Sequence, residues 1–276
     1  MNFTVEVRSG LCNMIKSFVT ALSIGKANVL PNHTIHFDAD HSEIFDSSLI
    51  CKSPAEFGVS FITARFLILE SEEEEQADLI NDAKALGDHP NIANKQLAPF
   101  FSEKTIDWFY DRSLICDKVY DRIQRGIKRI KWRPEVLSEV EKVSKEFEGR
   151  VLGVQVRTWT HQSDPPNCTS IRDGVERDYN FETYREAIDK FLPEVDTVFV
   201  TADRVEALQD YVDYLKDKNV KVVLYVQPDN VTQLQYSSAT MLLGAKCDKL
   251  VLCRLSTFAE CMWWFGGCKA DVIPVF

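Results

Sequence analysis

From residue 150 onward the chain alternates short apolar runs with segments of helical period. Arg150 to Val156 reads as a buried strand, followed by a polar loop, a helix over Phe181 to Phe191 and a strand over Thr197 to Thr201. A helix over Arg204 to Lys216, a strand over Lys221 to Val226, a helix over Leu234 to Ala245, a strand over Lys249 to Cys253 and a helix over Thr257 to Phe265 continue the series. Strands separated by helices at this spacing predict βαβ units and a parallel sheet covered on both faces. The predicted architecture is α/β and Rossmann-like.

The first half follows the same logic less regularly. Phe3 to Val7 alternates apolar and polar residues and predicts a strand; Ser9, Gly10 and Asn13 turn into an apolar helix over Met14 to Ala27. His33 to Phe37 predicts a second strand, and Phe61 to Leu69 is a third apolar run. The acidic cluster Glu70 to Glu75 suits the positive end of a helix dipole. Asp107 to Ile130 and Pro134 to Phe147 have helical period, with Pro134 placed as a first-turn residue. We expect two domains, residues 1–148 and residues 149–276.

Composition narrows the function. The chain has 276 residues, 45% hydrophobic and 27% charged, with material for one large core or two smaller ones. A net charge of -10 excludes a nonspecific nucleic-acid binder, and the basic run Arg122 to Arg133 reads as a solvated helix face. No apolar run reaches membrane-spanning length, and Met1 leads directly into the first strand, so a soluble cytoplasmic protein is expected. The eight cysteines include no C-x-x-C pair and read as free, mostly buried thiols, while the five histidines lack zinc-ligand spacing. The sequons at Asn2, Asn32, Asn167 and Asn230 are therefore read as coincidental. There is no G-x-G-x-x-G, which argues against an NAD-dependent or methyl-transferring Rossmann enzyme.

Candidate chemistry collects where strands end. Parallel strands present all their carboxyl ends to one side of the sheet, the ligand side of open α/β folds. Arg157 follows one strand; its planar, permanently charged fork suits a phosphate or diphosphate. Asp203 follows another, either as part of the site or as cap of the helix beginning at Arg204. Ser256, Thr257 and Phe258 open the last helix, where hydroxyls and free N–H groups favour an anion, although a simple cap has the same residues. The opening turn Gly10, Leu11, Cys12 and Asn13 supplies a second wall if the two domains face each other across a cleft: glycine admits close backbone approach, and Asn13 offers an amide.

These segments resemble a family. Gly10–Asn13 before a helix, Gly153–Arg157, Val198–Asp203, and Cys247–Val251 with Ser256–Phe258 occur in the order found in the fucosyltransferase-like glycosyltransferases. That group includes the nodulation fucosyltransferase, the α1,6-fucosyltransferases and the protein O-fucosyltransferases. The resemblance implies a GT-B-type fold, a nucleoside-diphosphate sugar as donor, a glycan or glycoprotein acceptor, no metal or other cofactor, and inverting transfer. By it, Arg157 of the H-x-R motif and Asn13 of G-x-x-N meet the diphosphate, and Ser256 and Thr257 cap it. Two departures stand out. Gln155 replaces the motif's histidine, and Thr240 lies where several guanine-binding relatives carry aspartate, which opens a UDP-sugar such as UDP-xylose beside GDP-fucose. The base for the acceptor hydroxyl is sought in the loop Thr158 to Asp178, first at Asp164 and second at His161; Trp159 is placed to stack on a sugar. A non-catalytic carbohydrate- or nucleotide-binding module with the same fold is the alternative.

Overall fold

The computed structural model describes residues 11, 12, 15, 43, 44, 110–114, 117–128, 130–158, 179–253 and 256–275, together with strands at 4–7, 34–37, 67–68, 96–97, 170–172 and 175–177. The chain divides into two units, Met1–Leu137 and Ser138–Phe276. In the first, β1 (Thr4–Val7) pairs in parallel with β2 (Thr34–Phe37), with Val5 opposite Ile35. Leu11, Cys12 and Ile15 are helical and buried, so helix begins within the expected turn rather than after it. β3 (Leu67–Ile68) pairs antiparallel with β4 (Gln96–Leu97). A short 3-10 turn at Arg112–Leu114 precedes α1 (Asp117–Lys128), which buries Ile123 and leaves Arg125 and Lys128 in solvent. The acidic cluster at 70–75 lies outside the described residues.

α2 (Pro134–Ser144) starts at its proline and buries Val136, Val140 and Val143 along one stripe. It leads to β5 (Val151–Val156), every residue of which is buried. β6 (Ser170–Arg172) and β7 (Val175–Arg177) form a small antiparallel hairpin inside the loop that follows. Then come α3 (Phe181–Phe191), β8 (Thr197–Ala202), α4 (Leu208–Leu215), β9 (Lys221–Leu224), α5 (Gln233–Gly244), β10 (Lys249–Cys253), α6 (Thr257–Phe265) and β11 (Asp271–Val275).

The five main strands run in the order β11-β10-β5-β8-β9, all parallel. The chain steps outward from β5 to β8 to β9 and then returns past β5 to lay down β10. The strand order thus reverses between β5 and β10, the place where such sheets open a ligand crevice at their carboxyl ends.

The two faces of β5 have different work. Leu152, Val154 and Val156 join a core with Tyr184, Ile188 and Phe191 of α3 and Leu208, Tyr211 and Leu215 of α4. Tyr211 meets Tyr184 and Phe181 edge to face, at ring separations of 6.0 and 5.1 Å. Gly153 and Gln155 point the other way, since side chains alternate along a strand. A Cβ on Gly153 would stand 2.8 Å from Leu250 Cδ2 and 2.9 Å from Cys247 Sγ, so this glycine is required by packing.

At the amino edge of the sheet, polar side chains are tied to backbone. Asp248 Oδ2 accepts from Val151 N at 2.8 Å, Asp196 Oδ2 from Arg150 N at 2.8 Å, and Thr197 Oγ1 from Glu148 N at 3.0 Å. They hold the sheet together and leave its chemistry to the other edge.

Three expectations change. The helix expected from Arg204 opens with a 3-10 turn at Val205–Ala207 whose cap residue is Arg204, so Asp203 is no helix cap. The strand expected to reach Val226 ends at Leu224. β11 adds an edge strand that the pattern hid, because Pro274 interrupts it; at the edge of a sheet a proline is tolerated. The described cysteines 12, 247, 253, 261 and 268 are buried and form no disulfide, and Trp263 and Trp264 lie in the core.

Candidate functional site

The carboxyl edge of the sheet brings an arginine and an aspartate together at the ends of adjacent strands. Where β5 ends, Arg157 N donates to the Tyr184 hydroxyl at 3.2 Å, and Arg157 Nη1 stands 3.1 Å from Asp203 Oδ2 at the end of β8. The other carboxylate oxygen, Asp203 Oδ1, accepts from Thr158 N at 2.9 Å and from Thr158 Oγ1 at 3.0 Å. The Arg157–Asp203 contact is an ion pair without an aligned N–H, since Oδ2 accepts no hydrogen bond among the described residues. Asp203 therefore fixes the backbone exit of β5 with one oxygen and balances the guanidinium with the other. Tyr184 sits beneath them with its hydroxyl held neutral, because burial pushes its ionisation well above the ordinary tyrosine range.

Beside this pair opens a cavity of about 530 Å³. β5 contributes Gln155, with Arg157 following at its end; β8 contributes Thr201 and Ala202, with Asp203 following at its end. Helix α5 contributes Gln233, Tyr236, Ser237 and Thr240, the i, i+3, i+4 and i+7 positions of one helical face. Phe258 from the first turn of α6 and Val205, Val226 and Gln227 complete the lining. Its size is that of a small-molecule site, with apolar and aromatic surface and few convergent polar groups. Among the described residues that line it, Arg157, Asp203 and the Tyr236 phenol are ionisable, and burial pushes the phenol upward.

Several lining groups are committed. Thr240 Oγ1 donates to Tyr236 O at 2.8 Å, and the Tyr236 hydroxyl donates to Tyr225 O at 2.9 Å. The Tyr225 hydroxyl reaches Glu139 Oε2 at 3.1 Å. α5 itself starts on a capping box, Thr232 with Gln235, which sets the helix end next to the cavity. Gln155 is 4% exposed; its Nε2 donates to Val156 O at 3.2 Å, and its Oε1 is buried without a partner among the described residues.

α6 begins on the same edge, because β10 runs parallel to β5 with Leu252 opposite Gln155. Ser256 is its cap, with Oγ accepting from Ala259 N at 3.4 Å, so this hydroxyl oxygen already serves the helix. Of the expected donor-site residues, Gln155, Arg157, Asp203, Thr240 and Phe258 share one cavity. Ser256 and Thr257 open the helix that carries Phe258. Leu11 and Cys12 are buried in the first unit. Gly10, Asn13, Trp159, His161 and Asp164 lie outside the described residues. Sequence reasoning missed Tyr184, the Thr158 contacts with Asp203 and, apart from Thr240, the face of α5. The last had no amphipathic signal, because polar and apolar residues lie all round the helix.

Solved structures share this architecture. Arabidopsis thaliana FUT1, a mutant form in complex with GDP, aligns with a TM-score of 0.55 at 14% identity over 99% of this chain and 70% of its own. The chain has a fucosyltransferase fold. NodZ α-1,6-fucosyltransferase soaked with GDP-fucose aligns at 0.51 and 13% identity over 96% of this chain and 93% of its own, and NodZ from Bradyrhizobium at 0.51 and 16% over 95% and 91%. POFUT1 in complex with GDP aligns at 0.50 and 11% over 100% and 98%. No protein-family model and no curated protein sequence matches the chain. At such identities the fucosyltransferase likeness is one of fold, in agreement with the α/β class expected from the sequence. No helix among the described residues is long and apolar enough to cross a membrane.

Proposed function

We propose that the chain is a glycosyltransferase that moves a sugar from a nucleoside-diphosphate sugar to a hydroxyl of a glycan or glycoprotein. One observation carries this reading: Arg157, balanced by Asp203, lines a cavity of about 530 Å³ at the carboxyl edge of a sheet with a fucosyltransferase fold. The neutral remainder of that cavity suits a nucleoside, and the guanidinium suits its diphosphate.

The acceptor hydroxyl attacks the anomeric carbon as the bond from that carbon to the diphosphate oxygen breaks, giving inversion. Arg157 and the positive end of α6 offset the charge developing on the departing diphosphate, the service a metal ion performs in other transferases. The hydroxyl proton passes to a base in the loop after Arg157, which we assign first to Asp164 and second to His161. We assign acceptor binding to residues 1–148 and donor binding to residues 149–276.

Two donors follow from two observations. GDP-fucose follows from solved neighbours named for GDP or GDP-fucose. A UDP-sugar such as UDP-xylose follows from Thr240, which offers no paired acceptor to the two N–H groups of guanine. The test is nucleotide release from GDP-fucose, UDP-xylose and UDP-glucose, with and without a chelator. Release from one donor, unaffected by chelation and lost in Arg157→Ala, is expected. A folded protein that releases nucleotide from none overturns the enzymatic reading, and loss of release on chelation overturns the metal-independent one.

A further inference from the structure

The Gln155 side chain is oriented by its own strand. Its Nε2 donates to Val156 O at 3.2 Å; turning the amide over would set Oε1 against that carbonyl, two acceptors in contact. Oε1 is therefore the end left over; it is buried with no partner among the described residues, in a side chain that lines the cavity. A buried acceptor left unpaired costs free energy that a ligand recovers by supplying a donor. Thr240 Oγ1 points to the same requirement. Its hydrogen is used on Tyr236 O at 2.8 Å, so on the cavity it presents lone pairs only. The two residues come from different elements, and both ask for hydrogen.

We infer that Gln155 is a specificity-determining residue that accepts a hydrogen bond from a neutral N–H or O–H of the bound nucleotide, and so rejects ligands presenting a carbonyl or phosphate oxygen there. The assignment rests on the nucleotide-sugar reading above. Gln155 lies two residues before Arg157 on one face of the strand path, about 7 Å along it. A ligand whose diphosphate meets Arg157 thus brings its nucleoside to Gln155. The donor is either the ring N–H of the base or a ribose hydroxyl. A phosphate cannot serve, since it carries acceptors at neutral pH.

The experiment is a titration of wild-type protein and Gln155→Leu with UDP and GDP, with their base N-methylated forms (N3 of uracil, N1 of guanine), and with their 2′-deoxy and 3′-deoxy forms. One modification is expected to weaken wild-type binding about tenfold and to change Gln155→Leu less than twofold, because the partner is already gone. Loss on methylation identifies the base N–H; loss on deoxygenation identifies the ribose. The wild-type series stands even if the variant fails to fold. No penalty from any modification, or equal penalties in wild type and Gln155→Leu, overturns the role of Gln155 and leaves the nucleotide site intact. Binding of neither UDP nor GDP by folded wild-type protein overturns both readings.

Discussion

Arg157 and Asp203 meet at 3.1 Å across the ends of two adjacent parallel strands, and the same aspartate accepts both the backbone and the hydroxyl hydrogen of Thr158. The carboxylate thus aims the arginine at the cavity while pinning the start of the loop. The two roles separate by mutation. Asp203→Asn keeps an oxygen for Thr158 and removes the charge; nucleotide affinity is expected to fall about three- to tenfold with the unfolding midpoint nearly unchanged. Asp203→Ala also strands the Thr158 donors and should cost about 1–3 kcal/mol of stability. Tighter nucleotide binding by Asp203→Asn would mean that the carboxylate competes with the ligand instead of aiming the arginine.

Tyr184 supports the pair from below through Arg157 N at 3.2 Å. Tyr184→Phe keeps the ring contact with Tyr211 and removes the acceptor. We expect roughly 1–3 kcal/mol of destabilisation in urea and a matching loss of nucleotide affinity of several fold. Unchanged affinity in a destabilised variant would confine Tyr184 to the core.

Tyr184 and Tyr211 also predict an alkaline limit. Burial raises both ionisations, and for Tyr211 the Tyr179 hydroxyl adds to the effect. The unfolded tyrosines ionise near pH 10, so above it the unfolded state has lost protons that the folded state keeps. Stability supplied by the two neutral hydroxyls is then complete below about pH 10 and falls as pH rises beyond it, by at most about 1.4 kcal/mol per pH unit for each resisting group. Urea midpoints between pH 8 and pH 11 check this, and Tyr211→Phe should flatten the decline. A midpoint constant to pH 11 would contradict it.

Gly153 belongs to the motif that ends at Arg157, yet its part is packing. An added methyl meets Leu250 and Cys247 below 3 Å. Gly153→Ala is expected to lose about 1–3 kcal/mol of stability from overpacking while nucleotide affinity at low temperature stays within twofold. A selective loss of affinity would place the glycine in the site.

The second half was legible because period and punctuation agree there. α3, β10 and α6 begin and end where apolar spacing, Asn180 and Ser256 place them. β11 was not, since Pro274 breaks the strand pattern and only the sheet edge excuses it. Arg157 could be placed from strand order alone. The Asp203 pairing could not: an aspartate before a helical segment looks like a cap, and only the parallel register of β5 and β8, Val156 opposite Ala202, brings it beside the arginine. The α5 face was hidden for a related reason. Its apolar residues surround the helix, so no amphipathic contrast marks the polar stripe at Gln233, Tyr236, Ser237 and Thr240.

Calorimetric titration of GDP and UDP into wild-type protein and Arg157→Ala tests the central claim most directly. Wild-type protein is expected to bind at least one of the two, and Arg157→Ala to bind it about 10- to 100-fold more weakly with an unchanged unfolding midpoint, as loss of a charge-assisted phosphate contact requires. Folded wild-type protein that binds neither, or an Arg157→Ala variant that binds as tightly as wild type, would contradict it.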